Sequence, residues 1–464
     1  MHAASPRPAP HDPRQLRRAV TSSFLGSVIE YYDFLLYSTA AAVIFPQVFF
    51  SDLSPTAGTL ASFTTFATGY LARPLGGIVF GHFGDRLGRK RMLVVTMSLM
   101  GVASFLIGVL PTYGQAGTLA PVCLLLLRIV QGVAVGGEWG GAVLLSAEHA
   151  TGRRRGLWAS FTNAGAPFGM AVSTVAMSAT SAAVGEDAFL SWGWRIPFLL
   201  SVVLLAVGLF IRLRVSETPV FAEAEKEQKT RRIQESPRRS LPLWDVLRNH
   251  PRVLLLGIGV GLSAFVFQGT VTTYIISYAV QDGFSRQTVL NSLAFSSTLA
   301  VFGIIGWSAL SDRQGRRPVV MAGALAVGAF AFALFPLVDT GSTGLLVLAL
   351  VLGQSLVHPM MYGPLAALYT ELFATRSRYT GASLGYQIAG LGAGFAPLIF
   401  TEVQADAGTG ATPLISAIIA AFCLVTVVCL ALLGETGRTD LTGADSAAAA
   451  RLPVDGRPET AQAS

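Results

Sequence analysis

Long apolar runs separated by short loops fill most of this chain, and they constrain its fold more than any other feature. A helix that crosses a bilayer needs about 20 predominantly apolar residues, and these runs reach that length. Only 13% of the residues are charged, against about 25% in soluble globular chains, so a soluble fold is excluded. The pattern predicts an all-α integral membrane protein with twelve transmembrane helices, at roughly 19–50, 57–81, 92–111, 119–147, 156–184, 193–212, 252–280, 288–310, 318–338, 343–370, 379–402 and 412–434.

The spans divide into two groups of six. A polar stretch over 213–251 separates the first group, 19–212, from the second, 252–434. Residues 1–18 are rich in Pro and Arg and have no apolar core, which predicts a disordered basic tail rather than a cleaved signal peptide. The first span would then act as an uncleaved insertion signal. A second disordered tail is predicted over 435–464.

The charged residues of the loops are strongly biased in position. Short cytoplasmic loops accumulate Lys and Arg, so this bias predicts that both termini and the linker lie in the cytoplasm. The net charge of +7 then reflects topology rather than nucleic-acid binding. Mixed charges over 223–239 predict a solvated amphipathic helix on the cytoplasmic surface. The basic loops contain Arg86, Arg89, Lys90, Arg91, Arg153, Arg154, Arg155, Arg313, Arg316, Arg317, Arg376 and Arg378, and the opposite loops contain Asp52, Glu186, Asp187, Asp282, Asp339 and Asp406.

A basic corner between the second and third spans recurs in the second half of the chain. It reads Gly81-His-Phe-Gly-Asp-Arg-Leu-Gly-Arg-Lys-Arg91, and its weaker copy is Ser311-Asp-Arg-Gln-Gly-Arg-Arg317. A glutamate followed by arginines also recurs, at Glu148 and at Glu371. The basic corner and the glutamate followed by arginines thus occur in both halves, at the same end of the predicted spans. This repetition predicts two parallel six-helix repeats with a substrate site at their interface.

The first corner, with Asp85, Arg86, Gly88, Arg89 and Lys90 at fixed spacing, resembles the loop signature of the major facilitator superfamily. Further stretches resemble its metabolite:proton symporter family, whose members carry shikimate, α-ketoglutarate, citrate, and proline or betaine. The resemblance is nearest to the shikimate-type branch. It implies two pseudo-symmetric six-helix bundles with both termini cytoplasmic. The further stretches are Glu30–Phe34, Ala72–Gly77, Gly136–Gly141, Gly193–Pro197 and Arg378–Ser383.

The two corners carry candidate gating residues. Asp85 can face the positive N-terminus of a helix from the other half, where an anion gains about 0.3–1 kcal/mol. Arg89 can reach Glu148, and Arg316 can reach Glu371. Each exposed pair contributes about 0–1 kcal/mol, so a small network biases a two-state equilibrium without locking it. The alternative is that these arginines only fix topology. The predicted gating set is Asp85, Arg86, Gly88, Arg89, Glu148, Asp312, Arg316, Glu371 and Arg378.

Carboxylates inside the apolar spans are candidates for proton coupling. An ionisable group at the bilayer centre costs roughly 2.5–3.5 kcal/mol on insertion scales, so it needs a partner or a purpose. Glu30, Asp33 and Tyr37 share one face of the first span. Because a carboxyl group with alternating exposure can load and release a proton, Glu30, Asp33 and Glu138 are the predicted proton carriers. No cofactor is expected. The family resemblance implies H+ as the coupling ion, although intramembrane carboxylates suit Na+ as well.

Arginines inside the spans are candidates for binding a substrate carboxylate. Arg128 and Gln131 share one face of the fourth span with Glu138, and Arg73 lies in the second span. A guanidinium matches a carboxylate with two donors. The alternatives are static pairs, Asp33–Arg128 or Glu138–Arg73, and for Arg73 a position from which it snorkels. A small-residue stripe that permits close helix packing accompanies them, formed by Gly132, Gly136 and Gly140.

The second half offers neutral polar and aromatic groups instead of charges. Gln268, Tyr274 and Gln387 are predicted to contact the non-ionic part of the substrate, together with Tyr37 from the first half. His358 could titrate near neutrality, but a lone histidine in an apolar span is more typical of packing.

The combined pattern predicts a secondary transporter that imports a small metabolite, most simply an organic acid, by proton symport. It is not expected to be an enzyme, since no phosphate-binding loop, metal-ligand cluster or nucleophile motif occurs. Its expected partners are a small-molecule substrate, a proton and the lipid bilayer of the bacterial inner membrane, with the protein acting as a monomer. The alternatives are import of a zwitterion such as proline or betaine, and drug:proton antiport. Asn163–Gly169 lacks the Gly-Pro pair of such exporters, which disfavours export.

Overall fold

Twelve long helical segments make up the described part of the chain, as the apolar runs predicted. The computed structural model describes residues 13–87, 89–148, 154–214, 246–248, 250–373 and 378–436. Within these ranges it describes all side chains except those at 13–19, 81–82, 84–90, 141–142, 144–148, 211–214, 378–379 and 409. No β-strand occurs in the described ranges.

Six helices form the first half. The first five are α1 (Pro13–Val43), α2 (Pro55–Leu87), α3 (Arg89–Val109), α4 (Leu119–Glu148) and α5 (Arg155–Val184). The sixth, α6, consists of the consecutive segments Glu186–Ala188, Phe189–Gly193, Arg195–Leu199 and Ser201–Arg214.

Six helices also form the second half, and two of them contain a π-helical segment. They are α7 (Pro251–Gln281), α8 (Arg286–Gln314), α9 (Arg316–Val338), α10 (Thr343–Leu372), α11 (Arg378–Ala407) and α12 (Ala411–Leu432). The π segments are Thr270–Tyr274 in α7 and Val351–Val357 in α10.

Several boundaries differ from the sequence predictions. Helix α1 begins at Pro13, so residues 13–18 belong to the first span rather than to the tail. Helix α2 continues to Leu87, beyond the predicted end of the second span at 81. The predicted surface helix at 223–239 lies outside the described residues.

Nine of the described helices are long and apolar enough to cross a membrane, and the bent α6 makes a tenth. Helices α1 and α2 are not among the ten, and α1 carries the buried Glu30 and Asp33. Large apolar side chains such as Leu255 and Phe302 are 67% and 69% exposed on the outside of the bundle. Such a surface is typical of a protein that faces lipid.

Glycines bring α2 and α4 into backbone contact. A Cβ on Gly132 would overlap the carbonyl oxygen of Gly69, and a Cβ on Gly136 would overlap that of Arg73. From the other side, a Cβ on Gly76 would overlap the carbonyl oxygen of Val133. The predicted small-residue stripe is therefore a helix-packing surface, and it fixes Arg73 of α2 beside α4.

Candidate functional site

Arg128 of α4 is completely buried, and aromatic rings surround its guanidinium. The guanidinium carbon lies 3.8 Å from the ring centroid of Phe34, 4.2 Å from that of Tyr37 and 5.0 Å from that of Phe66. Nη1 donates a hydrogen bond to Oε1 of Gln131 at 3.1 Å. Within the described residues, Nε and Nη2 of Arg128 have no hydrogen-bond partner.

Arg73 of α2 lies over the same phenylalanine. Its guanidinium carbon is 3.9 Å from the ring centroid of Phe34 and 4.0 Å from that of Tyr70. The residue is 1% exposed, so the snorkelling alternative does not describe it. In the described part of the chain, Nε and Nη2 of Arg73 also make no hydrogen bond. Rings attract such cations, with a contribution of about 2 kcal/mol or more when both groups are desolvated, but they leave the N–H donors unsatisfied.

The three predicted proton carriers line one cavity. Glu30 and Asp33 of α1 and Glu138 of α4 face a space of about 220 Å³, which is closed by Met97, Met100 and Leu205 among others. Asp33 accepts a hydrogen bond from the hydroxyl of Ser201 in α6. Arg128 contacts rings rather than Asp33, so the static Asp33–Arg128 pair is absent among the described residues.

A second cavity, of about 330 Å³, lies between the two halves. From the first half, α1 contributes Leu35 and α5 contributes Pro167 and Met170. Among the described lining residues, the polar side chains all come from the second half, and they include the predicted substrate contact Gln268. The lining residues from the second half are Gln268, Val271, Thr272, Ala300, Ile304, Gln354, His358 and Tyr362.

The remaining predicted substrate contacts lie outside both cavities. The Tyr274 hydroxyl donates to Oε1 of Gln404 at 2.9 Å, and its ring packs on Phe335 and Phe400. Gln387 of α11 donates to the carbonyl oxygen of Gly136 at 3.4 Å and so joins the two halves. Tyr37, beside Arg128, donates to Thr65 at 2.7 Å.

An aromatic cluster lies at the interface of the halves, and its member Trp139 was not predicted as a site residue. Trp139 of α4 stacks on Tyr386 of α11 with ring centroids 3.6 Å apart. The Tyr386 hydroxyl lies 2.8 Å from that of Tyr362 and 3.4 Å from that of Tyr31. Trp139 lies inside the glycine-rich block at 136–141, so an indole among glycines was the available signal.

Asp312 closes the end of the bundle that carries Arg316 and Glu371, here termed the inner end. Its carboxylate accepts the backbone N–H groups of Gly156 at 2.8 Å and Leu157 at 2.9 Å, at the N-terminus of α5. An aspartate of one half thus caps a helix of the other, which is the role predicted for its counterpart Asp85. The side chains of six predicted gating positions lie outside the described residues, namely Asp85, Arg86, Gly88, Arg89, Glu148 and Arg378.

The ion pair predicted between Arg316 and Glu371 is present. Nη2 of Arg316 lies 2.6 Å from Oδ1 of Asp312 and 3.5 Å from Oε1 of Glu371. Arg155 of α5 reaches the same Glu371 oxygen at 3.6 Å. Glu371 therefore receives a cation from each half of the protein.

Two residues that follow α12, in the predicted tail, also belong to the inner end. The Glu435 carboxylate accepts the backbone N–H groups of Arg316 at 2.8 Å and Arg317 at 3.1 Å, at the start of α9. The Thr436 hydroxyl donates to Oε2 of Glu371 at 2.9 Å. The end of the last span therefore ties α9 to α10.

The halves also touch at the opposite, outer end. The Ser178 hydroxyl of α5 donates to the side-chain oxygen of Asn291 in α8. Arg286 of α8 lies 3.4 Å from Glu186 of α6. The structure therefore has contacts between the halves at both ends, with the larger cavity between them.

Comparison with known proteins assigns this arrangement to a family. The family model described as "Major Facilitator Superfamily" matches residues 24–397. The chain belongs to the major facilitator superfamily. The shikimate transporter of Escherichia coli strain K12 is 41% identical over 82% of this chain and 86% of its own length.

Two further relatives are also transporters. The inner membrane metabolite transport protein YhjE of Escherichia coli strain K12 is 39% identical over 91% of this chain and 95% of its own length. The proline/betaine transporter of the same strain is 33% identical over 84% of this chain and 78% of its own length. This superfamily member is therefore a multi-pass metabolite transporter of the bacterial inner membrane and not an enzyme.

The solved structures confirm the twelve-helix fold. The xylose transporter XylE from Escherichia coli, in a partially occluded inward-open conformation, aligns with a TM-score of 0.71. It is 19% identical, and the alignment covers 92% of this chain and all of XylE. The predicted major facilitator fold is thereby confirmed.

Proposed function

We propose that this protein imports a small organic acid, such as shikimate or another carboxylate, together with a proton. The observation that carries this proposal is the pair of buried arginines over Phe34. Within the described residues, Arg73 and Arg128 each keep two guanidinium nitrogens without a hydrogen-bond partner. A carboxylate supplies the missing charge and two acceptor oxygens in the planar arrangement that a guanidinium prefers.

The unsatisfied donors of the two buried arginines favour a binding role over a purely structural one. Each buried donor without a partner costs about 1–3 kcal/mol. Aromatic contacts offset the charge but cannot accept these N–H groups along the guanidinium plane. An arriving carboxylate would satisfy them and supply the ion-pair partner that Arg73 and Arg128 lack within the described residues, whereas Arg316 already has two carboxylates.

The same helix that contacts the arginines carries the proposed proton site. Phe34 lies over both guanidiniums, and its neighbour Asp33 faces the cavity with Glu30 and Glu138. Movement of α1 between two conformations would therefore change the surroundings of the substrate charge and of the carboxyl groups together. This connection supports symport, because loading either ligand alters the site of the other.

Alternation would proceed by separation of the halves at one end at a time. At the inner end, opening must break the contacts of Asp312 with α5 and of Arg155 with Glu371. At the outer end, it must break the Ser178–Asn291 contact. Both sets are small enough to exchange, as a transport cycle requires.

Import of a zwitterion such as proline or betaine is the second candidate, because relatives at 33% identity are named proline/betaine transporters. A zwitterion also carries a carboxylate for Arg73 and Arg128. The two candidates differ in what the rest of the site must accommodate.

Uptake into right-side-out vesicles with an imposed inward proton gradient tests the proposal. Radiolabelled shikimate, other carboxylates and glycine betaine would be supplied to the original chain, Arg128→Gln and Asp33→Asn. We expect Arg128→Gln to lower carboxylate uptake at low substrate by about 30-fold or more, as a lost charge-assisted pair implies. Asp33→Asn should abolish gradient-driven accumulation while substrate exchange across the membrane continues.

Matched substitutions control for general damage. Arg195→Gln removes an arginine that bonds only backbone oxygens of the first half, and Asp339→Asn removes a carboxylate paired with Tyr278 inside the second half. Both should transport normally. Carboxylate uptake that does not depend on the proton gradient would refute proton coupling. Uptake of glycine betaine but of no other carboxylate would refute the proposal that the substrate is an organic acid.

A further inference from the structure

The cavity between the halves is polar on one side only. Every hydrogen-bonding side chain in its described lining comes from the second half, whereas Leu35, Pro167 and Met170 form an apolar wall from the first half. Among the described residues, its lining contains no Asp, Glu, Lys or Arg. The charged candidates of the first half thus lie elsewhere, and this cavity is suited to an uncharged polar group.

Gln268 is the polar side chain with the most unused capacity there. It is 8% exposed, and its side-chain amide makes no hydrogen bond within the described residues. The Thr272 hydroxyl donates at 2.8 Å to the backbone oxygen of Gln268 and does not bond its side-chain amide. The amide therefore offers both a donor and an acceptor to the cavity.

His358 offers an acceptor beside it. Its Nε2 lies 3.1 Å from the carbonyl oxygen of Ala264, and because a carbonyl only accepts, Nε2 must carry the proton. In the neutral ring Nδ1 is then an acceptor, and it has no partner in the described part of the chain. The ring stacks on Tyr362 with centroids 5.2 Å apart, which holds its orientation.

The side-chain amide of Gln354 is held in position by hydrogen bonds to α8. Its Oε1 accepts from Ser296 at 2.8 Å, and its Nε2 donates to Ser297 at 2.9 Å. One N–H of the amide remains for the cavity. Two serines of α8 therefore preorganise this glutamine, much as Tyr362 preorganises His358.

We infer that this cavity is a hydroxyl-binding subsite, formed by Gln268, Gln354 and His358, for the uncharged part of the transported molecule. A hydroxyl both donates and accepts, so it matches the free donor and acceptor groups of these side chains. This subsite rests on the proposed function, since it takes the remainder of a molecule whose carboxylate binds the arginines.

The same chemistry disfavours a quaternary ammonium group. A trimethylammonium has no hydrogen to donate to Nδ1 of His358 and no acceptor for the Gln268 amide, so both would stay unsatisfied. The described lining of the cavity also offers no carboxylate to balance the positive charge. The subsite therefore selects a hydroxylated acid over a betaine.

Direct binding to the purified full chain in nanodiscs tests this selection by calorimetry. The probes are shikimate, which carries three hydroxyls, cyclohex-1-ene-1-carboxylate, which carries none, and glycine betaine. We expect shikimate to bind at least about tenfold more tightly than the bare acid, as one or two net hydrogen bonds imply. Gln268→Met should weaken shikimate binding about tenfold and change the bare acid less than about twofold.

His358→Phe provides a second variant, because it keeps a stacked ring and removes the acceptor. This variant should also reduce the preference of the protein for shikimate over the acid without hydroxyls. The control is Gln404→Met, because Gln404 pairs with Tyr274 outside the cavity, and it should leave that preference unchanged. Equal affinity of the two acids, or equal losses for both in Gln268→Met, would overturn the subsite alone. Failure of both acids to bind would overturn the proposed function instead.

Discussion

Asp312→Asn should open the inner end of the protein. Asp312 is nearly buried, with 6% of its side chain exposed, and it accepts three hydrogen bonds. Two come from the backbone of α5, at 2.8 Å and 2.9 Å, and the third comes from Arg316 at 2.6 Å. Because α5 and Asp312 belong to different halves, the two backbone bonds exist only while the inner end is closed.

The size of the effect follows from these contacts. Asparagine keeps the shape and one oxygen, but it loses the charge and turns an N–H group toward another donor. Hydrogen bonds to a charged group contribute about 1.5–3 kcal/mol, and an anion at a helix N-terminus contributes up to about 2 kcal/mol. A net loss of about 2–3 kcal/mol shifts the equilibrium between closed and open inner ends by about 30- to 150-fold.

Distances between spin labels in nanodiscs measure that shift. Labels at Arg91→Cys and Leu432→Cys, both exposed at the inner ends of α3 and α12, report the separation of the halves once Cys123, Cys423 and Cys429 are replaced. We expect the longer distance to gain population in Asp312→Asn. Asp339→Asn, whose carboxylate bonds Tyr278 within one half, should leave the distribution unchanged. Identical distributions for the original chain and Asp312→Asn would refute this reasoning.

Three further predictions concern packing and the two ends. Gly136→Ala should lower the thermal unfolding temperature of the protein in detergent, because the added Cβ overlaps the carbonyl oxygen of Arg73. Gly306→Ala is the control, since no atom lies within 4 Å of the added Cβ, and it should leave the unfolding temperature unchanged. Equal unfolding temperatures for the two variants would contradict the close packing of α2 on α4. A disulfide between Ser178→Cys and Asn291→Cys should block uptake until it is reduced, and uptake by the fully cross-linked protein would show that the outer end need not open. Glu435→Gln should weaken the hydrogen bonds between the end of α12 and the start of α9, and so raise the labelling rate of a cysteine introduced at Gln314. An unchanged labelling rate would contradict this prediction.

The helices were predictable because their cause is local. Each span needs enough consecutive apolar residues, and that requirement can be counted along the sequence. Boundaries such as Pro13 and Leu87 were missed because polar residues extend a helix beyond the apolar run. The structural role of Glu435 was also hidden, because its partners at the start of α9 are more than a hundred residues away.

The candidate site was predictable by residue type but not by partner. The polar faces of α1 and α4 did turn inward, yet Arg128 met the rings of Phe34 and Tyr37 rather than Asp33. Tyr274 lies outside both cavities for another reason. It ends a π-helical segment that begins at Thr270, and such a segment changes the register assumed by a 3.6-residue period. Gln268, which precedes the segment, does line the cavity.

Buried arginines in this protein differ in function according to what surrounds them. Arg316 has two carboxylates and a serine hydroxyl within reach, so its charge is balanced inside the fold and its role is to hold the inner end. Arg128 is buried equally well but has rings and one amide, and two of its nitrogens lack a partner among the described residues. A fold that already has carboxylates on α1 leaves Arg128 without one, and this separation keeps the arginine available for an anion that arrives from outside.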